Sequence, residues 1–145
     1  MTGSLAMNDR AESPEIVILS GGAGPEREVS LASGRCLADS LSLQFSVRLI
    51  DLVENRLPAD LSAVNQVVFP IIHGEFGEDG ELQALLCEAG LEFAGSQEAA
   101  SRLCMRKDEA KQVVSGAGVR VCPGISFNDP RDCKVDEVID RLGAD

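Results

Sequence analysis

A continuous apolar run, Ile16-Val17-Ile18-Leu19, leads into the segment GGAGPEREVSLASG at residues 21–34. Four successive apolar residues without alternation read as a parallel strand buried on both faces. The glycines behind them permit a tight turn, and residues 26 to about 41 fit a helix. A strand that runs through a Gly-rich turn into a helix leaves free backbone N–H groups at the helix start, where the dipole also favours negative charge. The triplet Glu26-Arg27-Glu28 stands at that turn. The first strand–helix junction therefore reads as a binding site for a small charged molecule.

The rest of the chain alternates strand and helix. Val29, Ala32, Cys36, Leu37 and Leu41 would share one apolar face of the first helix. Further strands are expected over residues 45–51, 66–72 and 91–94, with a connection over 52–65 broken by Pro58. Leu82, Leu85, Leu86 and Ala89 mark a helix stopped by Gly90. Residues 97–104, 107–115 and 135–142 read as helices, and 121–127 as a strand. Such alternation implies an α/β fold, a Rossmann-like parallel sheet with right-handed crossovers and helices on both faces. Ligands of such sheets bind beyond the carboxyl ends of the strands. The loops 21–25 and 73–80 (HGEFGEDG) both follow strands, so the expected site lies between them.

Three residues could carry chemistry: Glu26 and His73 at these loops, and Lys107 further on. Glu26 could accept hydrogen bonds from an ammonium group, or simply complement the helix dipole as a first-turn acid. Glu28 and Arg27 read as dipole or solvent-facing partners. His73, the chain's single histidine, could contact an anion or move a proton, or serve structure alone. Asp79 fits a cap for the helix that follows. Lys107 opens a helix and could reach a phosphate, although most lysines are merely solvated.

Charge and cysteine content exclude several classes. A formal net charge of -11, with no basic run, argues against nucleic acid and anionic membranes as partners. Five scattered cysteines without a CxxC pair fit neither a disulfide nor a zinc framework, and read as small core hydrophobes of a cytoplasmic protein. No metal-ligand spacing surrounds His73. Residues 1–14 have neither a basic start nor an apolar stretch, and read as a flexible leader rather than a signal peptide.

Three segments together carry a resemblance: GGAGPEREVSLASG (21–34), VVFPIIHGEFGEDGELQALL (67–86) and FAGSQEAASRLCMRK (93–107). In order and spacing they resemble the N-terminal part of the D-alanine–D-alanine ligases. The resemblance implies an N-terminal α/β substrate-binding domain at 15–104, a pre-ATP-grasp domain, and the beginning of an ATP-grasp central domain at 105–145. It implies D-alanine as substrate, with ATP and Mg2+ as cofactors of the full-length enzymes, whose dipeptide product feeds peptidoglycan synthesis. Carried over by motif, Glu26 would hold the ammonium of the first D-alanine, His73 would lie by its carboxylate with Val29 nearby, and Lys107 would reach an ATP phosphate. The family usually has Ser where Gly24 stands, Met-Asp-Lys where Met105-Arg106-Lys107 stands, and Gly where Ala84 stands. The second ATP lysine, the magnesium carboxylates and the oxyanion-stabilising arginine would follow residue 145, so a truncated ATP-grasp segment, inactive alone, is expected.

Two rival readings stay open at this point. Gly22-Ala23-Gly24 with Asp51 is similar to a dinucleotide fingerprint and its ribose-binding acid, although Arg27 occupies the third glycine position. A non-catalytic or split-ligase binding domain would expose apolar surface around 107–142, and so form a homodimer or take a missing ATP-grasp half as partner.

Overall fold

The computed structural model describes residues 13–143, so the expected leader falls largely outside the described residues. The described residues form two compact units, one ending at Met105 and the other beginning at Arg106.

The first unit is built on strand β1 (Glu15–Gly21), flanked by β2 (Val47–Leu52) and β3 (Gln66–Pro70). All pairings are parallel, in the order β2-β1-β3, with Ile18 opposite both Leu49 and Phe69. Val17, Ile18, Leu19 and Ser20 are fully buried, as a central strand covered on both faces must be. The strand expected over 91–94 is reduced to a single parallel bridge, Val68 with Phe93. The Val68 N–H donates to Glu92 O (2.8 Å) and the Ala94 N–H donates to Val68 O (2.9 Å).

Side-chain alternation along β1 divides its packing. Val17 and Leu19 join Val68, Ile72 and Phe76 in one core, together with Leu82 and Leu86 of helix α2 (Glu81–Glu88). Helix α3 (Glu98–Met105) packs against α2. Helix α1 (Arg27–Leu41) covers the opposite face, over Ser20.

The buried side of α1 differs from the expected one. Val29 is 59% exposed; Ala32 and Cys36 are also exposed, and Leu37 and Leu41 only half-buried. The buried positions are Ser30 and Gly34. The reason is close approach: a Cβ on Gly34 would lie 2.7 Å from Ser20 Cβ and 3.2 Å from Leu49 Cδ1. Only small residues fit along that line, and small residues leave no mark in an apolar periodicity.

The cysteines depart from expectation too. Cys36, Cys87, Cys104, Cys122 and Cys133 are all free and exposed, not core residues.

The second unit holds α4 (Lys107–Gly116), a 3-10 turn (Pro130–Asp132) and α5 (Val135–Leu142). Residues 121–127 are not a strand. A strand needs a neighbour, and none lies among this unit's described residues. No helix among the described residues is long and apolar enough to cross a membrane.

Candidate functional site

The crossover through α1 leaves β1 toward β2, while β3 pairs on the other side of β1. The loops that follow β1 and β3 therefore emerge side by side at a topological switch point, where open α/β sheets open a crevice.

The first loop turns on Gly21 (φ +89°) and Gly22 (φ +93°), conformations that glycine adopts without a Cβ penalty. Arg27 fastens this turn from behind. Its Nη1 donates to Leu52 O (2.9 Å) and Gly22 O (3.3 Å), and its Nη2 donates to Asp51 Oδ2 (2.6 Å). The bond to Asp51 raises the Arg27 pKa above its ordinary value; desolvation opposes it, and the charges of Asp51 and Glu28 add to it. Arg27 is thus a structural latch, not a solvent-facing partner of the helix dipole. Asp51, committed to that latch, is not a free acid awaiting a ribose.

Glu26 occupies the N-cap position of α1, yet its side chain makes no capping hydrogen bond. The carboxylate reaches instead toward the second loop: a Cβ on Gly74 would lie 2.6 Å from Glu26 Oε2. Gly74, at φ +73°, leaves room for that oxygen. The carboxylate from the first loop and the backbone beside His73 are thereby brought into contact.

His73 is half-buried between two partners. Its Nε2 stands 3.4 Å from Ser33 Oγ of α1, and its Nδ1 stands 3.6 Å from Glu78 Oε1. Glu78 Oε2 also accepts a hydrogen bond from the Gly74 N–H (3.1 Å). The rest of this loop is rigidly tied. Asp79 Oδ2 accepts from the Phe76 N–H and Oδ1 accepts from the Glu81 N–H, both at 2.9 Å, so Asp79 serves the start of α2 as expected. Phe76, 2% exposed, anchors the loop in the core at φ +69°. Buried Gln83 donates from Nε2 to Gly77 O (2.8 Å).

Three residues of this site escaped sequence reasoning: Ser30, Gln83 and Phe76. Ser30 is fully buried. Its Oγ accepts from the Gly21 N–H (2.8 Å) and donates to Ile71 O (2.7 Å). A serine inside an otherwise apolar helix pattern carries no such signal unless its burial is known. Val29 lies exposed one position before it.

Lys107 lies in the second unit, at the first residue of α4. It lines a groove of about 640 Å³ together with Lys111, Arg141, Ser115 and Ser126. Three cationic side chains on one groove suit an anion with several charges. Among the described residues no three His, Cys, Asp or Glu side chains cluster where they could hold a metal ion between them.

This arrangement defines a class: a parallel α/β domain with two glycine-containing loops side by side at its switch point. No family model matches the chain. Comparison with individual proteins is more informative. The D-alanine–D-alanine ligase of Beijerinckia indica is 39% identical over 115 residues, covering 78% of this chain and 37% of that protein. That of Syntrophobacter fumaroxidans is 38% identical over 131 residues, covering 88% of this chain and 42% of that protein. Among solved structures, the D-alanine–D-alanine ligase of Aeromonas hydrophila matches with a TM-score of 0.71 at 31% identity, over 88% of this chain and 50% of that one. The Bacillus anthracis ligase, solved in complex with ATP, matches with a TM-score of 0.75 at 26% identity, over 90% of this chain and 46% of that one. In sequence and in fold, the chain is a partial-length homologue of the D-alanine–D-alanine ligases. It spans about two-fifths of the length of these curated relatives.

Proposed function

We propose that this chain provides the first D-alanine site of an ATP-dependent D-alanine–D-alanine ligase. The observation that carries the proposal is the uncapped Glu26 carboxylate, directed across the crevice onto Gly74 and next to His73. A carboxylate that does not cap its own helix is available to an ammonium group. The backbone N–H groups at the start of α1 and the imidazole of His73 offer complementary partners for a carboxylate. D-Alanine carries both groups two bonds apart, and the exposed Val29 would lie beside it. The first D-alanine is bound and oriented by these residues, so that its carboxylate is presented for activation.

ATP would supply the phosphoryl group that activates that carboxylate. Lys107, with Lys111 and Arg141 on the same groove, would hold phosphate oxygens by charge. Magnesium would be held by one or two carboxylates together with the phosphate oxygens of ATP, and would neutralise their charge. The reaction belongs to cytoplasmic peptidoglycan synthesis, and residues 15–104 and 105–145 would serve as substrate-binding and nucleotide-binding segments respectively.

Calorimetric titration with D-alanine, and with L-alanine as control, tests the proposal. D-Alanine is expected to bind with a clear preference over its enantiomer. Glu26→Gln should weaken binding roughly tenfold or more, since a hydrogen bond to a charged group is lost. Equal binding of both enantiomers, or an unchanged affinity in Glu26→Gln, would contradict it.

A further inference from the structure

We infer that Ser30 is a positioning residue that sets the gap between Glu26 and His73, coupling the two loops of the site. The inference rests on the reading of that site as the D-alanine pocket.

Ser30 holds both ends of the first loop. Its backbone N–H donates to Glu26 O (3.0 Å), at the end of the loop. Its Oγ accepts from the Gly21 N–H (2.8 Å), at the beginning. The same Oγ donates its single proton to Ile71 O (2.7 Å), two residues before His73 and 41 residues away in sequence. One fully buried side chain thus joins the turn after β1 to the exit from β3.

A hydroxyl has one proton and two lone pairs, and here the proton and one lone pair are used in opposite directions. The arrangement is therefore directional: neither loop can shift without breaking a bond to the other. Ser30 touches neither reacting group in this arrangement, and acts by placing those that would.

Ser20 supplies a matched comparison. It is equally buried, but its Oγ donates only to Ile50 O of the adjacent strand (3.3 Å) and bridges no loops. Ser30→Ala and Ser20→Ala should both lower stability, as loss of a buried hydrogen bond does. Only Ser30→Ala should loosen the site.

The experiment combines amide hydrogen exchange with D-alanine titration on the full chain. In Ser30→Ala, exchange should speed by roughly tenfold or more at Gly21 and at Glu78, whose N–H closes the second loop on Gly74 O. Neither amide should change in Ser20→Ala. The dissociation constant for D-alanine should rise roughly tenfold in Ser30→Ala and stay near wild type in Ser20→Ala. Should Ser30→Ala fail to fold, Ser30→Cys keeps the shape with a weaker donor and acceptor, and the same comparison applies at smaller amplitude.

Unchanged Glu78 exchange in the Ser30 variant, or equal affinity loss in the two serine variants, overturns the coupling. If wild type binds no D-alanine while the exchange pattern holds, the ligand assignment fails and the clamp between the loops stands.

Discussion

Replacing Gly34 with alanine sets two effects of known size against each other. In a helix interior, glycine to alanine gains about 1 kcal/mol from backbone entropy and propensity. Position 34 lies in the middle of α1, so on propensity alone the substitution stabilises. The added Cβ, however, would stand 2.7 Å from Ser20 Cβ and 2.9 Å from Ser20 Oγ. Leu49 Cδ1, at 3.2 Å, belongs to a side chain 40% exposed and can rotate away. Ser20 cannot: it is fully buried on the central strand, which is hydrogen-bonded on both sides. The helix must therefore lift. Forcing an extra methyl into a packed contact costs about 1–3 kcal/mol, so the net is a loss of up to about 2 kcal/mol after the propensity gain. The chain has no Trp or Tyr, so urea unfolding is best followed by circular dichroism. The midpoint should fall, by up to roughly 1 M at a urea slope of about 2 kcal/mol/M. Gly116→Ala is the control. It is helical, at the end of α4, and meets nothing within 4 Å. It should be neutral or stabilising, by at most about 1 kcal/mol. A Gly34→Ala chain as stable as Gly116→Ala would refute the account of a small-residue contact between α1 and the sheet.

Other outcomes follow from the same structure. Phe76→Ala, which empties a side chain 2% exposed, should cost about 3–5 kcal/mol in urea unfolding; a loss under about 1 kcal/mol would mean that the second loop is not anchored in the core. Arg27→Lys should lower the unfolding midpoint, because an ammonium cannot reach Asp51, Leu52 O and Gly22 O together. In an Asp51→Asn background the same change should matter less, and additivity of the two would contradict the latch. All five cysteines should react with a thiol reagent in the folded chain at rates near those in denaturant, since all are exposed; protected thiols would contradict the structure. The Arg131 guanidinium, then its backbone N–H, holds the Asp129 carboxyl below its ordinary value. The carboxyl pKa is depressed, so the turn gains from this pair above the unfolded carboxylate value and loses it as pH falls through the folded one. Arg131→Ala should return the Asp129 titration, read by carbon NMR, to the usual range.

The strands and the two glycine loops were legible because their signals are local. A central strand buried on both faces writes itself as an unbroken apolar run, and Ile16 to Leu19 did so. Switch-point topology then placed Glu26 and His73 on one edge, and the structure brings the Glu26 carboxylate onto Gly74 beside His73. The less legible features depend on partners distant in sequence. Periodicity chose Val29, Ala32 and Cys36 as the inner face of α1, whereas close approach demanded Ser30 and Gly34. Arg27 meets Asp51 24 residues away, and nothing in either neighbourhood announces the pair. The run from Val121 to Phe127 has strand-forming composition, but β-propensity expresses itself only against a neighbouring strand.

The central claim is that a D-amino acid sits between the loops after β1 and β3. Titration of uniformly nitrogen-labelled chain with D-alanine, read as amide shift changes, tests it most directly. The account predicts saturable shifts at Gly21, Gly22, Glu26 and Arg27 and at His73 and Gly74, with L-alanine markedly weaker at the same amides. Shifts absent from both loops at saturating D-alanine, or identical for the two enantiomers, would contradict it.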